Sequence, residues 1–101
     1  MSMKINISSQ HVNPEVSLQE FITKKLSKLS HFNENLSEAE VILDLERGRN
    51  TNFDTKVVKV KVFGRGIDFF AEKKASSFEE ATLQVIDALK KQILRVKERK
   101  H

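Results

Sequence analysis

Six of the last twelve residues are cations: Lys90, Lys91, Arg95, Lys97, Arg99 and Lys100, opposed only by Glu98. Their local charge of +5 exceeds the chain's total of +4, so the residues before Lys90 sum to −1. Ammonium and guanidinium groups in such a run do no covalent work by themselves; they hold phosphates and carboxylates. One or two cations at a helix end would satisfy the helix dipole, and six exceed that need. A polyanion is the natural partner of a charge concentrated on one element.

The remaining residue types with chemical potential point elsewhere. Glu40, Asp44 and Glu46 fall on one side of an alternating segment, and Lys59 and Lys61 on one side of the next. Cross-strand pairing of opposite charges accounts for both sets. His11, His31 and His101 have no ligand spacing with one another or with a carboxylate pair, which makes them surface histidines. Gly64-Arg65-Gly66 lacks the Gly-Lys-Ser/Thr of a phosphate loop and leads into a strand, so it is a hairpin turn. With no cysteine, thiol catalysis, disulfides and cysteine-held zinc are excluded. The sequence argues against an enzyme and calls for no cofactor and no metal.

The elements that must position the basic end can be read from periodicity. Met3, Ile5 and Ile7 alternate with polar residues as a first strand. Leu18, Phe21, Ile22, Leu26 and Leu29 form a helical stripe, begun either at Pro14 or by a Ser17-x-x-Glu20 capping box. Asn33 to Ser37 is turn-like. Ala39, Val41, Leu43 and Leu45, then Val58, Val60 and Val62, then Ile67, Phe69 and Ala71 give three further strands, with a polar loop over Arg47 to Thr55. Ser77-x-x-Glu80 caps a second helix, whose apolar stripe runs from Phe78 through Leu89 and Ile93 to Val96. The expected class is α+β: β-α-β-β-β-α, a four-stranded sheet with two helices packed on one face.

On that helix Lys91 and Arg95 lie one turn apart on the polar side and Lys90 on the other flank. Lys97, Arg99 and Lys100 pass the last core contact. If the first helix packs beside the second, Lys24, Lys25 and Lys28 extend the basic surface, with Arg47, Arg49 and Arg65 in loops as further contributors. Glu79 and Glu80 discourage a phosphate at the second helix's N-terminus. There is no Tyr or Trp, and most of the seven Phe occupy core-type positions. Stacking of splayed bases is therefore disfavoured, and recognition of backbone phosphates in folded RNA is favoured.

At 101 residues, 39% hydrophobic and 32% charged, the chain suits one domain over residues 1–101 with a charged surface. No apolar run approaches the roughly 18 to 20 residues of a membrane span, and the N-terminus lacks a signal peptide's apolar block. A cytoplasmic protein with no membrane and no small-molecule substrate is expected.

Three stretches resemble the short ribosome hibernation-promoting factors, also called ribosome-associated translation inhibitors and formerly sigma-54 modulation proteins. They are Met3-Lys-Ile-Asn-Ile, Leu18 to Leu29 with its lysines at 25 and 28, and Asp87 to Arg99 with a basic-Gln-aliphatic step before alternating basic residues. The resemblance spans roughly residues 3–100 and rests on order, spacing and length together. It implies binding to the small ribosomal subunit, against ribosomal RNA in the channel for messenger and transfer RNA, and so translation inhibition and ribosome hibernation in starved or stationary cells. By residue match, Lys25, Lys28, Lys91, Arg95, Lys97 and Arg99 are the rRNA-contacting candidates; Lys90 and Lys100 join them on charge alone. Two departures stand out. Ser77-Phe78-Glu79 replaces an Asp-Met-Tyr-like step of many relatives, losing the Tyr, and the expected short form has no C-terminal dimerisation domain. A separate ribosome-dimerising factor is then a further partner the resemblance allows.

Two other readings stay open. A double-stranded-RNA-binding domain also ends in a basic helix, and Lys73-Lys74 superficially resembles its lysine cluster, although Glu79 and Glu80 follow. A protein-interaction module, such as a sigma-factor regulator, would offer the basic helix to an acidic protein.

Overall fold

A computed structural model of the chain describes residues 3–10, 12–47 and 54–99, the side chains of Arg47, Asp54, Lys97, Glu98 and Arg99 excepted. The elements are β1 (Lys4–Ser9), α1 (Val16–Ser27), a 3-10 turn (Lys28–His31), β2 (Leu36–Arg47), β3 (Asp54–Gly64), β4 (Ile67–Ala75) and α2 (Phe78–Arg99). The strands lie in sequence order; β1 runs parallel to β2 across the α1 connection, and the other pairs are antiparallel. This is the expected β-α-β-β-β-α arrangement.

Period-two alternation decides which side of the sheet is covered. Ala39, Val41 and Leu43 of β2, Val58, Val60 and Val62 of β3, and Phe69 and Ala71 of β4 are all buried. Ile22 and Leu26 of α1, Leu29 of the turn, and Ala81, Val85, Leu89 and Ile93 of α2 join them in one core. Both helices therefore cover one face; the other is open, although Val57 on it is buried at 4% exposure. Each fully buried Leu, Ile or Val contributes about 1.5–3 kcal/mol, which makes this layer the main source of stability.

Local chemistry sets the ends of the elements, and here the expectations split. Ser77 caps α2: its hydroxyl accepts from the Glu80 amide at 3.1 Å. The Glu80 carboxylate accepts from the Ser76 hydroxyl at 3.1 Å. The N-terminus of α1 lies between the two expected starts. Glu15, in extended conformation, is its cap residue and makes no side-chain capping bond, so Ser17 and Glu20 fall inside the helix rather than forming a capping box. Gln19 instead ties down the chain before the helix, donating from Nε2 to the Pro14 carbonyl at 3.2 Å.

The β3–β4 hairpin closes through Arg65-Gly66, with Gly64 opposite Ile67 and Gly66 at φ +71°. That left-handed conformation favours glycine. Gly64 answers a different constraint. A Cβ there would collide with the Asn35 carbonyl oxygen, which accepts the Arg65 amide at 3.3 Å. The strands are also longer than alternation alone indicated. β2 begins at Leu36, so Ser37 belongs to it, and it ends with Arg47, which is therefore not a loop residue. β4 runs on through Lys73 and Lys74. His11, Arg49, Lys100 and His101 lie outside the described residues.

Candidate nucleic-acid interface

Successive residues of an α-helix step by about 100°, so the buried stripe of α2 fixes where its cations go. Leu89 and Ile93 point into the core, and Lys90, Lys91 and Arg95 are exposed. Lys90 projects toward α1 and the turn that follows it, its ammonium 5.1 Å from the centre of the Phe32 ring. Lys91 and Arg95 occupy the opposite flank, beside Gln92, whose Nε2 donates to the Phe70 carbonyl on β4 at 2.8 Å. Lys91 also pairs with Asp87 one turn earlier, at 3.0 Å with both side chains exposed. Such a pair is worth a few tenths of a kcal/mol and leaves the ammonium available.

The cations expected to act as one cluster are thus divided by α2. Lys25, Lys28 and Lys90 come together along a groove of about 510 Å³ between the two helices. Its floor is apolar: Leu29 from the turn and Phe32 just after it, Leu83 and Ile86 from α2. Among the described residues, His31 is the other polar one lining it, and no carboxylate does. Lys25 itself sits 5.7 Å over the Phe21 ring. Lys28 belongs to the 3-10 turn rather than to α1. Lys24, although exposed, does not line it.

The helix backbone continues to Arg99, while its last fully buried residue is Ile93, at 1% exposure. Val96, expected to complete the apolar stripe, is 37% exposed. Lys97 and Arg99 therefore extend from a helix end that has left the core; their side chains, and all of Lys100, lie outside the described residues.

Sequence reasoning gave Phe32 and Leu83 no role, read His31 as a surface histidine and placed Ile86 on the apolar stripe of the second helix. Leu83 carried the clearest signal, since it is a leucine off the buried stripe, and it is 49% exposed. A second cleft, of about 500 Å³, opens near the starts of both helices, but it is lined by Glu15 and Glu79 with no cation.

The open face of the sheet has the reverse character. Glu38, Glu40, Asp44, Glu46, Asp68 and Glu72 lie there against Lys4, Lys59, Lys61 and Lys74. Lys61 stands opposite Glu40 as expected, whereas Lys59 sits between Ile42 and Glu72, and Asp44 faces Val57. Glu46 instead binds Lys74 at 2.6 Å, and that hydrogen bond, reinforced by the opposite charge, raises the Lys74 pKa above its ordinary value. Phe70, beside Lys61, is 53% exposed on this face. Among the described residues no cluster of His, Asp and Glu is placed to hold a metal ion, and no helix is long and apolar enough to cross a membrane.

Solved structures share the fold. A ribosomal subunit interface protein from Coxiella burnetii superposes with a TM-score of 0.83 at 20% identity, over 96% of this chain and all of that one. The N-terminal domain of Thermus thermophilus Protein Y gives 0.77 at 20% identity, over 95% of this chain and 99% of that one. At that identity the likeness is one of fold. No curated protein sequence matches significantly. The model of the sigma 54 modulation protein / S30EA ribosomal protein family matches residues 5–101, every element of the sheet and both helices included, and the chain belongs to that family.

Proposed function

We propose that this protein binds the small ribosomal subunit through ribosomal RNA, in the channel used by messenger and transfer RNA, and idles ribosomes under stress or in stationary phase. The family match over residues 5–101 carries the reading. The Coxiella burnetii neighbour, a ribosomal subunit interface protein, is consistent with it. So is the charge asymmetry, with cations on the helix side and a carboxylate-rich open sheet. The mechanism is occlusion. Lys25, Lys28 and Lys90 from the groove, Lys91 and Arg95 from the outer flank of α2, and Lys97, Arg99 and Lys100 beyond the core hold RNA phosphates, and the folded body fills the channel. No bond is made or broken and no cofactor takes part. The cytoplasm is the compartment this requires, and residues 1–101 act as one ribosome-binding domain.

The duplex-RNA alternative is weakened by the position of its lysines. Lys73 and Lys74 lie on β4, not at the start of α2, and Lys74 is already paired with Glu46. Competition tests the proposal. Small subunits preloaded with messenger RNA and initiator transfer RNA should exclude the protein, and the protein should inhibit a translation extract at concentrations stoichiometric with ribosomes. Unimpeded binding to preloaded subunits would rule out occlusion.

A further inference from the structure

The groove between α1 and α2 has a composition that phosphate binding alone does not call for. Surface lysines suffice for phosphates, yet these stand around an apolar floor of Leu29, Phe32, Leu83 and Ile86, with Leu83 left 49% exposed. The volume, about 510 Å³, is within the range of small-ligand sites. The cations occupy both walls: Lys25 and Lys28 on the α1 side, Lys90 on α2.

We infer that this groove takes a single unpaired nucleotide of the bound RNA, its base on the apolar floor and its flanking phosphates on the lysines of the two walls, a departure at this one position from the expectation that stacking of splayed bases is disfavoured, because Phe32 lines the groove. The inference rests on the ribosomal RNA reading above and adds a subsite to it. A nucleotide extruded from a strand carries one phosphate on each side of its base, which matches cations on opposite rims of a slot. An acidic peptide helix would need a longer apolar stripe than four residues. Lys90 covers the Phe32 ring in the free protein. An RNA phosphate is the stronger partner for that ammonium and draws it off, leaving the ring to the base. Among the described residues the lining offers no carboxylate or side-chain amide, and His31 is its one polar group besides the lysines, so the slot holds a base by its faces and is tolerant of its identity.

The chain has no cysteine, so Leu83→Cys supplies a unique attachment point for a short photo-crosslinker at the mouth of the groove. Irradiated with purified small subunits, it should crosslink to one position of the ribosomal RNA. In parallel, Leu83→Ser should weaken small-subunit binding about tenfold, the effect of losing one base contact, with the salt dependence unchanged. Lys90→Gln should weaken binding and also flatten the log–log salt slope by about 0.7–0.9, as expected for one lost phosphate contact. Crosslinking to a ribosomal protein, or a Leu83→Ser variant that binds like the parent, would overturn the nucleotide slot while leaving small-subunit binding intact. Failure of the unmodified protein to bind small subunits would overturn both.

Discussion

Thr82 is the residue whose environment its neighbours explain least. It is 1% exposed among the apolar residues of α2, and its hydroxyl has no hydrogen-bond partner. A buried hydroxyl without a partner costs about 1–3 kcal/mol relative to one that is satisfied. Valine has nearly the same shape and no such demand. Thr82→Val should therefore stabilise the protein by about 1 kcal/mol, seen as a higher urea midpoint with an unchanged slope. A destabilised variant would mean that the hydroxyl has a partner in solution. Single residues also show where sequence reasoning reached its limit. Lys25, Lys28 and Lys90 were identified as cations, but their convergence with Phe32 and Leu83 depends on how two helices 50 residues or more apart pack. No local periodicity carries that information.

At the scale of elements, legibility followed the strength of the local signal. The four strands and the long helix were readable because alternating valines and an uninterrupted stripe leave few alternatives. The start of α2 was readable because Ser77 makes the capping bond its spacing implied. Ser77→Ala should cost about 1 kcal/mol in denaturant unfolding, whereas Ser17→Ala, at a serine inside α1 that caps nothing, should cost less than half of that. The α1 start was misjudged because two local signals competed and a third residue, Glu15, took the cap position. The Leu36 end of β2 was hidden for a tertiary reason: it is held by Gly64 across the sheet, where the close approach of the Asn35 carbonyl tolerates no Cβ. Gly64→Ala should accordingly destabilise by about 1–3 kcal/mol, the usual cost of overpacking, although the strand pattern alone gives no hint of it.

For the whole molecule the consequence is a division of faces. Cations gather on and beyond the helices, and carboxylates outnumber lysines on the open sheet. Reversing Lys91 and Arg95 to Glu should abolish ribosome association and change unfolding by no more than about 0.5 kcal/mol, since both are exposed. Reversing Lys59 and Lys61 should leave association nearly intact; a larger loss there would move the interface to the open sheet. Binding should also fall steeply between low and physiological salt, as counterions released from RNA phosphates must be recaptured.

The most direct measurement is co-sedimentation of the purified protein with separated small and large ribosomal subunits at near-physiological salt. Saturable binding to the small subunit alone, lost in the Lys91→Glu, Arg95→Glu double variant, is the result predicted. Equal binding to both subunits and to plain duplex RNA, or binding to neither subunit, would contradict it.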